Sequence, residues 1–125
     1  MGQQMSETGA AALDMGKLEA LLGTVVNELG AAANGALVML GDKLGLFKAL
    51  AAKGPLSPAA LARETGTAER YVREWLSSQA ATGYVTFDAG TGLFSMSLEQ
   101  AAVLADAESP VAMSGGFYSL AAVWA

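Results

Sequence analysis

The sequence predicts a mainly α fold, a winged helix-turn-helix with a small two-stranded β-wing and longer helices ahead of it. Three observations predict it. Two short helical segments with apolar faces flank the turn Thr65-Gly66-Thr67. Two strand patterns, Tyr84–Phe87 and Leu93–Ser97, flank a turn at Asp88–Gly92. The composition, 53% hydrophobic and 15% charged over 125 residues, suits a packed globular domain of that size.

Residues 1–12 read as a flexible leader. MGQQMS within it fits the N-myristoylation pattern, Gly2 followed by Ser6, but so short and common a pattern carries no prediction. From Leu13 onward, Leu18, Leu21, Leu22, Val25, Val26 and Leu29 recur at steps of three and four, the mark of an amphipathic helix. Gly30 is expected to end or kink it. A second helical run follows to Ala52, with Ala33, Leu37, Leu40, Leu44 and Phe47 as its stripe and Val38 and Met39 beside it. Gly35–Gly41 is apolar all round, which implies burial on more than one side. Met39, Leu40, Leu46 and Phe47 read as core or subunit contact rather than as a ligand site.

Lys53-Gly54-Pro55 forms a stop, with a basic last turn, a glycine at the helix end and a proline that cannot continue it. Residues 13–53 therefore form one segment of helices and 54–97 the winged helix-turn-helix. Ser57 is a good N-cap with Pro58 at the first helical position. Ala59, Leu61 and Ala62 supply the apolar face, and Gly66 ends the helix. Thr67 is expected to cap the next one, which buries Val72, Trp75, Leu76, Gln79 and Ala80, with Tyr71 at the edge of the stripe. Gly83 ends that helix and the hairpin follows. Ser97 caps a short helix through Asp106, and Ser109-Pro110 is expected to open another running to Ala125. Residues 98–125 thus form a post-wing segment.

Composition removes several function classes. There is no Cys and no His, which excludes disulfides, thiolate metal sites and most hydrolytic triads. Seven basic residues against twelve acidic ones give a net charge of −5, which opposes generic attraction to nucleic acid or anionic membranes. No basic region precedes the first apolar residues, and Ser109–Ala125 is shorter than the ~20 apolar residues of a spanning helix. The expectation is a cytoplasmic chain with no membrane partner.

A winged helix can read DNA, and a winged-helix transcriptional regulator is the alternative reading. A recognition helix normally presents Arg, Lys, Asn or Gln, with basic residues on the wing. Here Glu69 with Arg73, and Arg70 with Glu74, are spaced to pair with each other. From Gly54 to Met96, Arg63, Arg70 and Arg73 are outnumbered by Glu64, Glu69, Glu74 and Asp88, and the wing tip has no basic residue. That favours a structural or oligomerisation role. The turn Asp-Ala-Gly-Thr-Gly also matches the D-x-G-x-G of nucleotide-binding loops, but no helix follows where such a loop needs one, so a hairpin turn is the better reading.

The run from Leu40 to Ser97 resembles the N-terminal winged-helix domain of bacterial class I S-adenosylmethionine-dependent methyltransferases. The resemblance rests on Gly41, Gly45, Leu46 and Phe47 (G-x-x-x-G-L-F), the L-S-x-x-x-L-A start, the Y-V-R-E-W-L helix and G-Y-V entering the wing, with SLEQAAVLAD as the post-wing helix. It covers roughly residues 35–117. It implies a homodimer, with the helices over Leu13–Ala52 extending the contact and Leu37, Leu40, Leu44 and Phe47 in it. It also implies a following Rossmann-like catalytic domain, which the chain stops short of, and S-adenosylmethionine as cofactor of the full-length protein. No catalytic, cofactor-binding or metal-binding residue is expected in this chain itself. Phe117, Tyr118 and Trp124 fall in the segment that, by the resemblance, borders a substrate pocket. Interdomain packing is the other reading of those aromatics.

Overall fold

A computed structural model describes residues 12–124. The leader and its Gly2/Ser6 pattern lie outside the described residues. The chain divides into two units, Met1–Ala33 and Asn34–Ala125. The elements are α1 (Met15–Lys43), α2 (Leu46–Lys53), α3 (Pro58–Thr65), α4 (Glu69–Thr82), β1 (Thr86–Asp88), β2 (Leu93–Ser95), α5 (Leu98–Leu104) and α6 (Ser114–Trp124).

The helix-turn-helix is α3, the turn at Gly66 and α4. Ser57 Oγ accepts the Ala60 N–H at 3.1 Å and Pro58 stands in the first turn, so α3 starts where its cap and proline dictate. It ends at Gly66, which adopts a left-handed φ of 66° that disfavours any side chain. Thr67 does not cap α4. Its hydroxyl lies 2.8 Å from that of Thr65, and the N-cap position falls to Ala68 with no side-chain bond. The wing is an antiparallel pair with Phe87 opposite Phe94. Each strand is shorter than its sequence pattern. Leu56 supplies a further bridge, exchanging both backbone hydrogen bonds with Phe94 at 2.8 and 2.9 Å.

Three helix boundaries differ from expectation. Gly30 does not end the first helix, because a glycine inside a helix weakens it without obliging the hydrogen-bond ladder to stop. The break falls at Gly45, whose φ of 74° no right-handed helix accommodates. The last helix opens at Ser114 rather than at Pro110, since Ala112 and Val111 are held in turns by Ser109.

The core of the second unit is Val38, Leu46, Phe47, Leu50, Leu61, Val72, Trp75, Leu76, Val85, Phe94 and Leu104, joined by Ala62. Trp75 is its centre. The Phe47 ring meets it edge-on at 4.8 Å, and its indole N–H donates to the Leu37 carbonyl at 2.9 Å. The buried side of α1 is Val38 and Gly41, not the Leu40/Leu44 stripe. A Cβ on Gly41 would stand 2.3 Å from Trp75 Cζ2, so only glycine lets the indole approach the helix this closely.

Two substitutions separate the roles of the helical glycines. Gly41→Ala is expected to lower stability by about 1–3 kcal/mol through overpacking against Trp75. Gly30→Ala, with nothing within 4 Å of its Cβ, is expected to be neutral or to raise stability by up to about 1 kcal/mol. Denaturant midpoints of both variants check this.

Candidate functional site

The outward face of α4 carries Glu69, Arg70, Arg73, Glu74 and Ser77. Arg73 donates to Glu69 Oε1 at 2.6 Å, one turn away on the same helix. Arg70 and Glu74 form no ion pair among the described residues, although their spacing allows one. Lys53 pairs with Glu64 at 3.5 Å. At the wing tip Asp88 Oδ1 accepts the Gly90 N–H at 2.8 Å, and Gly92 turns the chain with φ 72°. The D-x-G-x-G segment is therefore a hairpin turn with its carboxylate engaged internally. A groove of about 510 Å³ runs between α4 and the wing, lined by Pro58, Arg73, Ser77, Ala80, Phe87 and Phe94. Phosphate binding needs a row of free donors, and here one arginine is paired with glutamate while the wing adds only an aspartate.

A second cleft, about 420 Å³, opens where the end of α4 meets α5 and the start of α6. Tyr84, Val103, Leu104, Met113 and Phe117 give it apolar walls, and Glu99 is its one charged residue. Gln100 builds the rim. Its Oε1 accepts the Ser97 N–H at 2.8 Å while Ser97 Oγ accepts the Gln100 N–H, a reciprocal cap that starts α5. Its Nε2 donates to the Gly83 carbonyl at 3.0 Å, tying α5 to the end of α4, and Thr86 Oγ1 donates to Oε1 from the wing. Glu99 and Val103 were not singled out by sequence reasoning. The Ser97-x-x-Gln100 capping pattern is the signal that could have placed them.

The sequence-predicted aromatics separate. Phe117 lines the cleft, but Tyr118, the next residue, turns away from it. The Tyr118 hydroxyl donates to Asp42 Oδ2 at 2.8 Å and lies 3.2 Å from the Met39 carbonyl, and Lys43 Nζ sits 5.9 Å from its ring centroid. It fastens α6 to the end of α1. The Trp124 side chain lies outside the described residues. Among the proposed dimer contacts, Phe47 is 1% exposed and belongs to the core, and Leu37 packs against that core. Leu40 and Leu44 remain exposed. Phe47 is therefore corrected to a core residue: it shares the helical stripe with them, but the break at Gly45 turns it inward against Trp75.

Two buried polar atoms lack partners among the described residues, the Tyr71 hydroxyl and Gln79 Oε1. Gln79 is fully buried, and its Nε2 donates to Asn34 Oδ1 at 2.8 Å. No group of acidic side chains that could hold a metal occurs among the described residues.

A family model described as "Rv2258c-like winged HTH domain" matches residues 32–106. Among curated proteins none matches. Three of the solved structures that share the fold illustrate the likeness. The Mitomycin 7-O-methyltransferase MmcR aligns with TM-score 0.69 and 29% identity over 80% of this chain. CalO1, a methyltransferase in calicheamicin biosynthesis in SAH-bound form, aligns with TM-score 0.63 and 27% identity over 84%. PigF with SAH aligns with TM-score 0.67 and 18% identity over 79%, a likeness of fold alone. The chain spans 28–29% of the length of those three.

The Asp42 hydrogen bond, then burial, then the Asp42 charge raise the Tyr118 pKa above its ordinary 10.0. A raised phenol contributes stability that is fully present below about pH 10 and is lost as pH rises through the folded value. Thermal melts between pH 8 and 11 are expected to fall less steeply above pH 10 in Tyr118→Phe than in the wild type. Parallel curves would assign the bond no weight.

Proposed function

Since the chain belongs to the Rv2258c-like winged helix-turn-helix family, we propose that it is the dimerisation and acceptor-side scaffold of an S-adenosylmethionine-dependent O-methyltransferase. The catalytic centre would lie in a Rossmann-like domain of the full-length protein. The observation that carries this reading is the pairing of Arg73 with Glu69 on the helix that would enter a DNA groove, on a fold shared with the methyltransferases MmcR and CalO1.

The cofactor does not fit the residues present. A nucleoside-binding loop needs a strand, a glycine turn and a helix whose N-terminal amides face the ligand. Asp88–Gly92 instead joins β1 to β2, and the Asp88 carboxylate is already bonded to a backbone amide. The chain's part is positioning. Its apolar cleft, with Phe117 and Met113 on one wall and Glu99 at the rim, suits the flank of an aromatic acceptor or the packing surface of the next domain. A homodimer is supported by the exposed Leu40 and Leu44 on α1.

Light scattering is expected to give twice the mass of one chain, and a well-behaved monomer would remove the dimerisation role. Duplex DNA at low salt is expected to show no retardation on a gel. Retardation that weakens steeply with added salt would favour the regulator instead.

A further inference from the structure

The charge of this chain is split along its length. All seven Lys and Arg stand within residues 1–73, where seven acidic residues balance them. The other acidic residues are Glu74, Asp88, Glu99, Asp106 and Glu108, and no basic residue follows Arg73. The whole net charge of −5 therefore lies in residues 74–125. The apolar cleft between α4, α5 and α6 is built entirely from that stretch, and no lysine or arginine lines it. Its Glu99 carboxylate makes no ion pair among the described residues.

The walls and the rim together select a ligand. Tyr84 and Phe117 contribute aromatic rings, and Val103, Leu104 and Met113 complete the apolar lining. The Met113 N–H donates to the Val103 carbonyl at 2.8 Å, which holds the loop ahead of α6 against α5. The volume of about 420 Å³ falls in the range of about 300–1,000 Å³ that small-molecule sites occupy. Gln100 is already engaged, its Nε2 with the Gly83 carbonyl and its Oε1 with Ser97 and Thr86. An anion in this cleft would meet the Glu99 carboxylate and no cationic group. A cation gains the carboxylate and the aromatic rings, whose electron-rich faces attract positive charge.

We propose that this cleft binds an aromatic amine, its ring system against Phe117, Met113 and Val103 and its ammonium on Glu99. The inference rests on the scaffold reading above and names the chemistry of the acceptor, a hydroxylated aromatic that also carries an amine. The ammonium orients the molecule, and the hydroxyl is left to the catalytic domain. Charge acts here at two ranges. At physiological salt, exposed charges more than about 8 Å apart are largely screened, so Glu99 sets the preference at contact. At low salt Asp106 and Glu108, in the loop between the two helices that bound the cleft, add to it. The groove beside the wing lacks this character, because its charged residue is Arg73, already paired with Glu69.

Calorimetric titration of the 125-residue chain with naphthylmethylamine, naphthylmethanol and naphthoate separates charge from ring burial. The amine is expected to bind tightest, the alcohol next and the carboxylate weakest. Glu99→Gln is expected to weaken the amine by about two- to fivefold, the scale of an exposed ion pair, and to leave the alcohol unchanged. Met113→Ala, at a position 57% exposed, is expected to weaken amine and alcohol alike. Equal binding of all three probes, or an amine affinity that either variant leaves intact, overturns the proposal. Failure of all three to bind also overturns it, assigning the cleft to packing against another domain while the scaffold reading stands. Retardation of duplex DNA by the same chain overturns the scaffold reading instead, and amine binding lost in Glu99→Gln would still hold the cleft to its ligand.

Discussion

The second unit depends on how closely the Trp75 indole lies against α1. The indole N–H is buried and must find an acceptor, and it takes the Leu37 carbonyl, which already belongs to the helix. Reaching that carbonyl demands contact with the helix backbone, and the absence of a side chain at Gly41 permits it. The indole also meets Phe47 of α2 in an edge-on contact. One side chain on α4 thus determines how the helix-turn-helix sits against both helices that precede it. The left-handed turn at Gly45 is what brings Phe47 into range.

Two glutamines make the remaining cross-links, and they differ in kind. Gln100 engages both ends of its amide, joining the start of α5, the wing and the end of α4 at the rim of the apolar cleft. Gln79 is fully buried and pairs with Asn34 through its nitrogen alone. A buried amide costs stability when mispaired, so the Gln79–Asn34 pair specifies one register of α1 on α4 more than it strengthens the packing. Both glutamines serve architecture. The outward face of α4, where a DNA reader would concentrate its chemistry, carries an internal Arg73–Glu69 pair instead.

Much of the fold was legible because its signals are local. Ser57-Pro58, Gly66, Gly83 and the Asp88–Gly92 turn each act within a few residues, through a cap, a ring constraint or a positive φ, and all fall where the sequence places them. The spacing of Val72, Trp75, Leu76 and Gln79 identified the buried side of α4 correctly. Periodicity failed on α1 and α2. Leu37, Leu40, Leu44 and Phe47 lie on one continuous stripe only if the helix is unbroken, and Gly45 breaks it. The cleft was half legible: Phe117 was named, Tyr118 was assigned beside it, and Glu99 and Gln100 were missed, because adjacent helical residues point about 100° apart and no local rule says which one faces a neighbouring element.

By itself, the sequence determined the order of elements, the Ser57 and Ser97 caps, the turns at Gly66 and Gly83, the wing hairpin and the mismatch of its charges with a polyanion. These follow from backbone conformation and formal charge, which each residue carries wherever it is placed. Only the tertiary structure decided which glycine breaks the leading helix, that Phe47 is core while Leu40 is surface, and that Tyr118 bonds to Asp42 and fastens α6 to α1. Those outcomes depend on which surfaces meet, and the meeting of α1 with Trp75 is a contact between residues far apart in the chain.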